Sequence, residues 1–330
     1  MRDSTSFHAF PQRCGFDRYD IDLVSPEAPC GAAWLVNCLL ELGIPAWKPW
    51  GSDDRAHWQQ LDRFRYRYVG GDNGWSRVLP ALSAGRVFDF RGDHCVRVHH
   101  AWPDLYPATT HRLMFVRDPR EALHSAWQRS RRSGAPPTGQ DFIGFCASRF
   151  FHYPVSWQDY LLVFLRVWRS AVERDGTKIV RFEDYRRDAL ATLLGVTADL
   201  GLAVTREEAQ RAVDASSVEQ VKAEDQRLVS AGVVDGLLVQ GDAPGTAIQS
   251  FDEAIHREIG SCLIDPCVWL GYPASPRSAR SPPLHSQREV HAGFLDAFRT
   301  AGFPTDEDDW LSKAVFDAVF DVDLLRAPVA

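Results

Sequence analysis

Two short stretches of this chain carry side chains suited to group transfer. The first is L-M-F-V-R-D-P-R-E-A-L-H-S, residues 113–125. An apolar run, Leu113 to Val116, ends on Arg117. Asp118 then falls where a helix N-cap belongs, Pro119 at the first helical position, and Glu121 where it can complete a capping box. A guanidinium between a strand end and a helix N-terminus suits an anion, because the fork and the first-turn amides all donate. Ser125, further along the same helix, adds a neutral donor. The second stretch is C-V-R-V-H-H-A-W-P, residues 95–103. Arg97 supplies fixed positive charge there. His99 and His100 supply imidazoles, whose ordinary pKa lies near neutral pH and suits proton transfer. The competing readings are a solvated turn for Arg117 and a capping or core pair for the histidines.

Both stretches need strands that end side by side. Tyr19 to Val24 reads as a strand, followed by a Pro/Ala/Gly loop and a buried helix, Trp34 to Leu42, stopped by Gly43 and Pro45. Cys95 to Val98 and Lys178 to Phe182 read as further strands. Helices are expected over the segment following Arg117 to about Ser130, over Phe142–Phe151, over Trp157–Arg174 before Gly176, near Ala189–Leu194, over Thr205–Ala215 and over Phe251–Cys262. Strands alternating with helices make an α/β fold around a mainly parallel sheet. Residues 45–92 are less regular and rich in Trp. Within them Arg63 to Tyr68 alternates cation and aromatic, as an edge strand with a solvated Arg face or as a contact surface for an acidic substrate. Residues 230–250 read as a mobile Gly-rich loop. A Pro/Ser/Arg linker from 274 leads to two short amphipathic segments, near 289–300 and 308–320, which form a C-terminal helical extension able to cover a site or to pair two copies as a homodimer.

The chain has 330 residues, is 45% hydrophobic and carries a formal charge of −7. That balance is globular and argues against nucleic acid or an acidic membrane as partner. Seven scattered cysteines, without a Cys-x-x-Cys pair, read as reduced thiols and not as a disulfide framework or metal site. No signal core or membrane-length apolar run stands out, so a cytoplasmic protein is expected. A P-loop nucleotide kinase is disfavoured, since no Gly-x-x-x-x-Gly-Lys-Ser/Thr occurs.

Together these strand ends resemble the sulfotransferase family that uses 3′-phosphoadenosine 5′-phosphosulfate (PAPS), over about residues 19–273. Arg117 and Ser125 are similar, in type and spacing, to the family's 3′-phosphate pair. R-V-H-H-A-W-P-D-L looks like its Lys-x-His segment, with Arg97 on the Lys position and His99 on the catalytic base. V-R-F-E-D-Y resembles its strand ending in Tyr-Glu-Asp and implies that Phe182 lies beside adenine. Ser216 and Ser217 look loosely like a Thr-Ser-Phe segment that also neighbours adenine. Gly31, Ala32, Ala33 and Trp34 match the loop that cradles the phosphosulfate, with Trp34 stacked on adenine. The resemblance implies a three-layer P-loop-like fold over residues 1–273, with the extension on 274–330, and PAPS as cofactor.

The chain departs from that pattern in two places. Pro29 stands where the family has its loop Lys, and Ala32 and Ala33 replace two hydroxyl residues. The C-terminal Arg-Lys-Gly clamp is replaced near L-L-V-Q-G-D-A-P-G, residues 237–245, where Gly241 and Gly245 remain without the cations. Three functions fit. One is sulfuryl transfer from PAPS to a hydroxyl or amine of a small-molecule acceptor, aromatic or anionic, with His99 as general base. Another is an enzyme on the same fold that no longer uses PAPS. The last is a non-catalytic binding protein.

Overall fold

The computed structural model describes residues 19–44, 46–47, 94–100, 103, 109–133, 141–150, 155–230 and 246–273. The Arg63–Tyr68 segment, the Trp-rich stretch apart from Ala46 and Trp47, residues 231–245 with the 237–245 segment, and residues 274–330 lie outside the described residues.

Five strands form one sheet: β1 (Ile21–Val24), β2 (Ala46–Trp47), β3 (Val96–His99), β4 (His111–Val116) and β5 (Lys178–Arg181), in the order β2-β3-β1-β4-β5. Every pairing is parallel. All residues of β1 and β3 are buried. Burial of both faces is what a parallel sheet covered by crossover helices requires, so the charged and polar residues of these strands, Asp22, Arg97 and His99, are buried as well. The short β2 lies in the stretch read as irregular; two residues carry too little pattern to show a strand.

Eleven helices complete the described residues. They are α1 (Ala32–Glu41), α2 (Pro119–Ser133), α3 (Phe142–Ala147), α4 (Trp157–Asp175), α5 (Phe182–Arg187), α6 (Ala189–Asp199), α7 (Arg206–Ala215), α8 (Val218–Ser230), α9 (Thr246–Gln249), α10 (Glu253–Cys262) and α11 (Ile264–Trp269), of which α9 falls within the stretch expected as a Gly-rich loop. Local chemistry sets most boundaries. Ser156 caps α4 by accepting from the Asp159 amide, and Gly176 ends it in the left-handed region at φ 67°. Thr205 and Glu208 close a full capping box on α7. Phe142–Phe151 is shorter than expected: α3 stops at Ala147, where the chain turns back so that the Phe150 amide donates to the Val155 carbonyl. Phe182, expected to end a strand, is instead the first residue of α5.

The core runs along both faces of the sheet, with Trp168 of α4 and Phe115 of β4 among its largest fully buried side chains. Among the described residues, no helix is long and apolar enough to cross a membrane.

Candidate functional site

β1 lies between β3 and β4, so the chain leaves it toward neighbours that continue in opposite directions across the sheet. Such a switch point opens a crevice at the carboxyl ends of the strands, where ligands of α/β sheets bind. Ser25, His100, Arg117 and Phe182 stand immediately beyond β1, β3, β4 and β5.

The loop after β1 ends on Gly31, the N-cap of α1, at φ 85° with no side-chain cap. A Cβ there would sit 2.5 Å from Cδ2 of Phe182. Glycine is therefore required twice, by the backbone and by the ring of α5. The helix starts two residues before the expected Trp34. Ala32 and Ala33 thus contribute first-turn amides rather than loop backbone. Arg117 lies over Phe182 with its Cζ 4.7 Å from the ring centroid. Phe182 in turn meets Tyr185 edge-on at 5.7 Å. Cys30 is close enough to feel the Arg117 and Glu183 charges, but burial dominates and pushes its thiol up to about 12, so it stays protonated.

Several expected partners are already engaged. Trp34, expected to stack on adenine, stacks on Tyr185 with centroids 3.7 Å apart and a 21° interplanar angle. Both rings are buried. Glu121 does not complete the capping box. Its carboxylate accepts from Arg117 Nη2 at 3.1 Å and from the Ile248 amide at 3.0 Å. Asp118 does cap α2, accepting from the Arg120 amide at 3.0 Å, and also holds the Arg120 guanidinium. The reciprocal bond comes from a different element, for Glu183 accepts from the Asp118 amide at 3.1 Å and from the Tyr272 hydroxyl at 2.7 Å. Ser217 caps α8 through the Gln220 amide, while Ser216 is buried next to Cys38 of α1. Ser125 is half-buried on α2.

Arg97 and His99 fall elsewhere than the resemblance implied. They share one face of β3, and across it lies Asp22 of β1, in register with Arg97 and with Arg112 of β4. Arg97 forks onto Asp22, Nε to Oδ1 at 2.5 Å and Nη2 to Oδ2 at 2.8 Å. Arg112 Nε is 3.7 Å from Oδ2, and the Thr109 hydroxyl donates to Oδ2 at 3.1 Å. His99 Nε2 is 3.6 Å from Oδ1, an electrostatic contact too long for a hydrogen bond. Trp168 of α4 closes over this row, 5.5 Å from Arg112 and 6.4 Å from the His99 ring. Arg97 and His99 are each 2% exposed. Burial lowers the His99 pKa against the pull of Asp22, with the Arg97 and Arg112 charges adding to burial. Burial alone would raise the Asp22 carboxyl, but the contacts from His99 and Arg97 outweigh it and hold it well below the usual carboxylate range. Arg97 is therefore committed to a carboxylate, and not to a transferring group.

His100 behaves differently. It is half-buried at the strand end, with Nδ1 2.7 Å from the Ser25 carbonyl oxygen and 3.2 Å from Ser25 Oγ.

The fold thus brings Gly31, Ala32, Ala33, Trp34, Arg117 and Phe182 to one end of the sheet and withdraws Arg97 and His99 beneath it. Asp22, Tyr185 and Glu183 escaped the sequence reading. Asp22 had a signal: a lone acid inside I-D-L-V must find a buried cation. Tyr185 and Glu183 lie in the V-R-F-E-D-Y segment, but it gave a role to Phe182 alone, because the partners of the other two are remote in sequence.

A family model described as a sulfotransferase domain matches residues 100–231. No protein of curated function matches the chain in sequence. Among solved structures, mouse sulfotransferase SULT7A1 complexed with PAP shares 16% identity at a TM-score of 0.51, over 86% of this chain and 93% of that one. Retinol dehydratase in complex with androsterone and inactive cofactor PAP shares 14% identity at a TM-score of 0.49, over 75% and 80%. A sulfotransferase from Alicyclobacillus acidocaldarius shares 18% identity at a TM-score of 0.37, over 65% and 95%. The mouse enzyme's likeness bears on the fold, which is the same parallel sheet with flanking helices.

Proposed function

We propose that this chain, a member of the sulfotransferase family, transfers a sulfuryl group from PAPS to a hydroxyl or amine of a small-molecule acceptor. One observation carries the donor half of this reading. Two buried N–H groups at the strand ends, Trp34 Nε1 and Arg117 Nε, have no hydrogen-bond partner among the described residues. Trp34 stacks on Tyr185 and Arg117 lies over Phe182, and those two rings meet each other edge-on. Buried donors left unsatisfied cost about 1–3 kcal/mol each, so their persistence at one place points to a ligand that accepts. A nucleotide with phosphates and a flat base answers both features.

In this reading the first-turn amides of α1, at Ala32 and Ala33, and the open turn at Gly31 meet the phosphosulfate. Arg117 and Ser125 hold the 3′-phosphate, and Phe182 with Ser216 and Ser217 borders the base. PAPS supplies the activated sulfuryl group. The chain binds and orients it, and Arg117 offsets charge that Pro29 cannot.

The test is calorimetric titration of the full chain with 3′-phosphoadenosine 5′-phosphate. Micromolar affinity is expected, weakened by roughly tenfold or more in Arg117→Ala. Absence of binding would overturn the proposal. It would favour an enzyme or binding protein on this fold that does not use PAPS, which is the reading supported by the Tyr185 ring on Trp34 and by Glu121 on Arg117.

A further inference from the structure

We infer that Glu121 is a positioning residue for Arg117 and that it couples ligand binding at this cation to the docking of α9 on α2. The inference rests on the sulfuryl-transfer reading above and adds a regulation of the same site.

Three observations support it. Glu121 is only 3% exposed, and its two oxygens serve different elements. Oε2 accepts from Arg117 Nη2 at 3.1 Å, and Oε1 accepts from the Ile248 amide of α9 at 3.0 Å. A buried carboxylate needs both a counter-charge and hydrogen bonds, so loss of one partner weakens its hold on the other. Next, this ion pair leaves most of the Arg117 fork unused. A guanidinium has five N–H donors, and the Glu121 contact is made by Nη2 alone. Phe182 lies 4.7 Å from Cζ and Glu121 sits at one edge, so the group is fixed at two points. Its Nε is engaged by neither and is buried without an acceptor among the described residues. Donors held in place before a ligand arrives raise affinity, because less motion is lost on binding. Last, α9 has a second hold that does not involve the ion pair. The Ser250 and Phe251 amides donate to the Ala247 and Ile248 carbonyls, and Phe251 packs on Phe142 at 5.3 Å and on His124 at 6.0 Å. Loss of Glu121 therefore loosens α9 without detaching it.

The consequence is reciprocal. A phosphate on the Nε side of Arg117 restrains the guanidinium, and with it Glu121 and the Ile248 amide. By linkage, a contact that holds α9 in place tightens the nucleotide by the same factor.

Two measurements on the full chain test this. In calorimetric titrations with 3′-phosphoadenosine 5′-phosphate, Glu121→Gln is expected to weaken binding about tenfold in the wild-type background. In the Arg117→Ala background it is expected to change binding less than about twofold, because Glu121 acts through Arg117. Equal losses in both backgrounds, or no loss in the single variant, overturn the inference. The second measurement needs no nucleotide: amide hydrogen exchange at Ile248, read by NMR. Arg117→Ala, which retains Glu121, is expected to speed this exchange about fivefold or more and to leave the Ile259 amide of α10 unchanged. An Ile248 amide unmoved by Arg117→Ala overturns the inference even where the wild type fails to bind the nucleotide. A faster Ile248 amide in a chain that does not bind the nucleotide supports the coupling and overturns only the sulfuryl-transfer reading.

Discussion

The charge row under the sheet and the crevice at its carboxyl edge begin one residue apart on β3, yet they handle polar groups in opposite ways. In the row, Asp22 collects Arg97, Arg112, Thr109 and the edge of His99, and α4 seals the set from water. At the edge, Trp34 Nε1 and Arg117 Nε are buried without an acceptor among the described residues, and the α1 cap is a glycine with no side chain to satisfy it. A polar group closed in by its own partners holds the fold together. One buried at the strand ends without them is where the proposed nucleotide would find donors. The same residue types, Arg and His, serve both ends, so residue type alone does not distinguish them.

Breaking the row should have the largest effect. Asp22→Asn leaves two buried guanidiniums facing a neutral amide, and a loss of about 3–5 kcal/mol is expected from urea unfolding. A loss below about 1 kcal/mol would mean that water reaches the row. At the crevice the expected effect is on binding instead. Arg117→Ala should cost roughly 1.5–3 kcal/mol of 3′-phosphoadenosine 5′-phosphate affinity with little change in Tm. Gly31→Ala tests the boundary between the two behaviours. Its positive φ and the Phe182 contact predict a destabilisation of about 1–3 kcal/mol, and a second change, Phe182→Ala, should recover only the steric part.

The smallest expected effect is in pH dependence. His99 is held below its ordinary value, so as pH falls the unfolded chain takes up that proton first. Its contribution is complete above roughly pH 6.5 and declines below it. Asp22 is held low as well, so its contribution is complete above roughly pH 4 and is lost on further acidification through its folded value. A Tm profile should therefore show two successive declines, and His99→Gln should remove the one that begins nearer neutrality. A wild-type profile flat between neutrality and pH 5 would place His99 in contact with solvent.

The strands, most helices and their caps were legible because they depend on neighbours in sequence. Asp118 before Pro119, Thr205 with Glu208, and Gly176 after α4 each act within one turn. Convergence of Arg117, Phe182 and the Gly31 turn was also legible through the resemblance, since the family segments they match all lie at strand ends. The assignments to Arg97, His99, Trp34 and Glu121 read differently in three dimensions. Each depends on a partner that no local pattern reveals: Asp22, one strand over and 75 residues from Arg97, Tyr185 on another helix, and the Ile248 amide.

What the sequence determined by itself was the order of strands and helices, the glycine turn before α1, and a cation at the end of β4. These follow from periodicity, capping and backbone sterics, which act over a few residues. Only the tertiary structure decided which charges neutralise one another. Parallel pairing set Asp22 level with Arg97 and Arg112, and side-chain alternation placed His99 among them and left His100 at the open end. Coulombic and hydrogen-bond partnership depends on distance in space, and it was the sheet that set those distances.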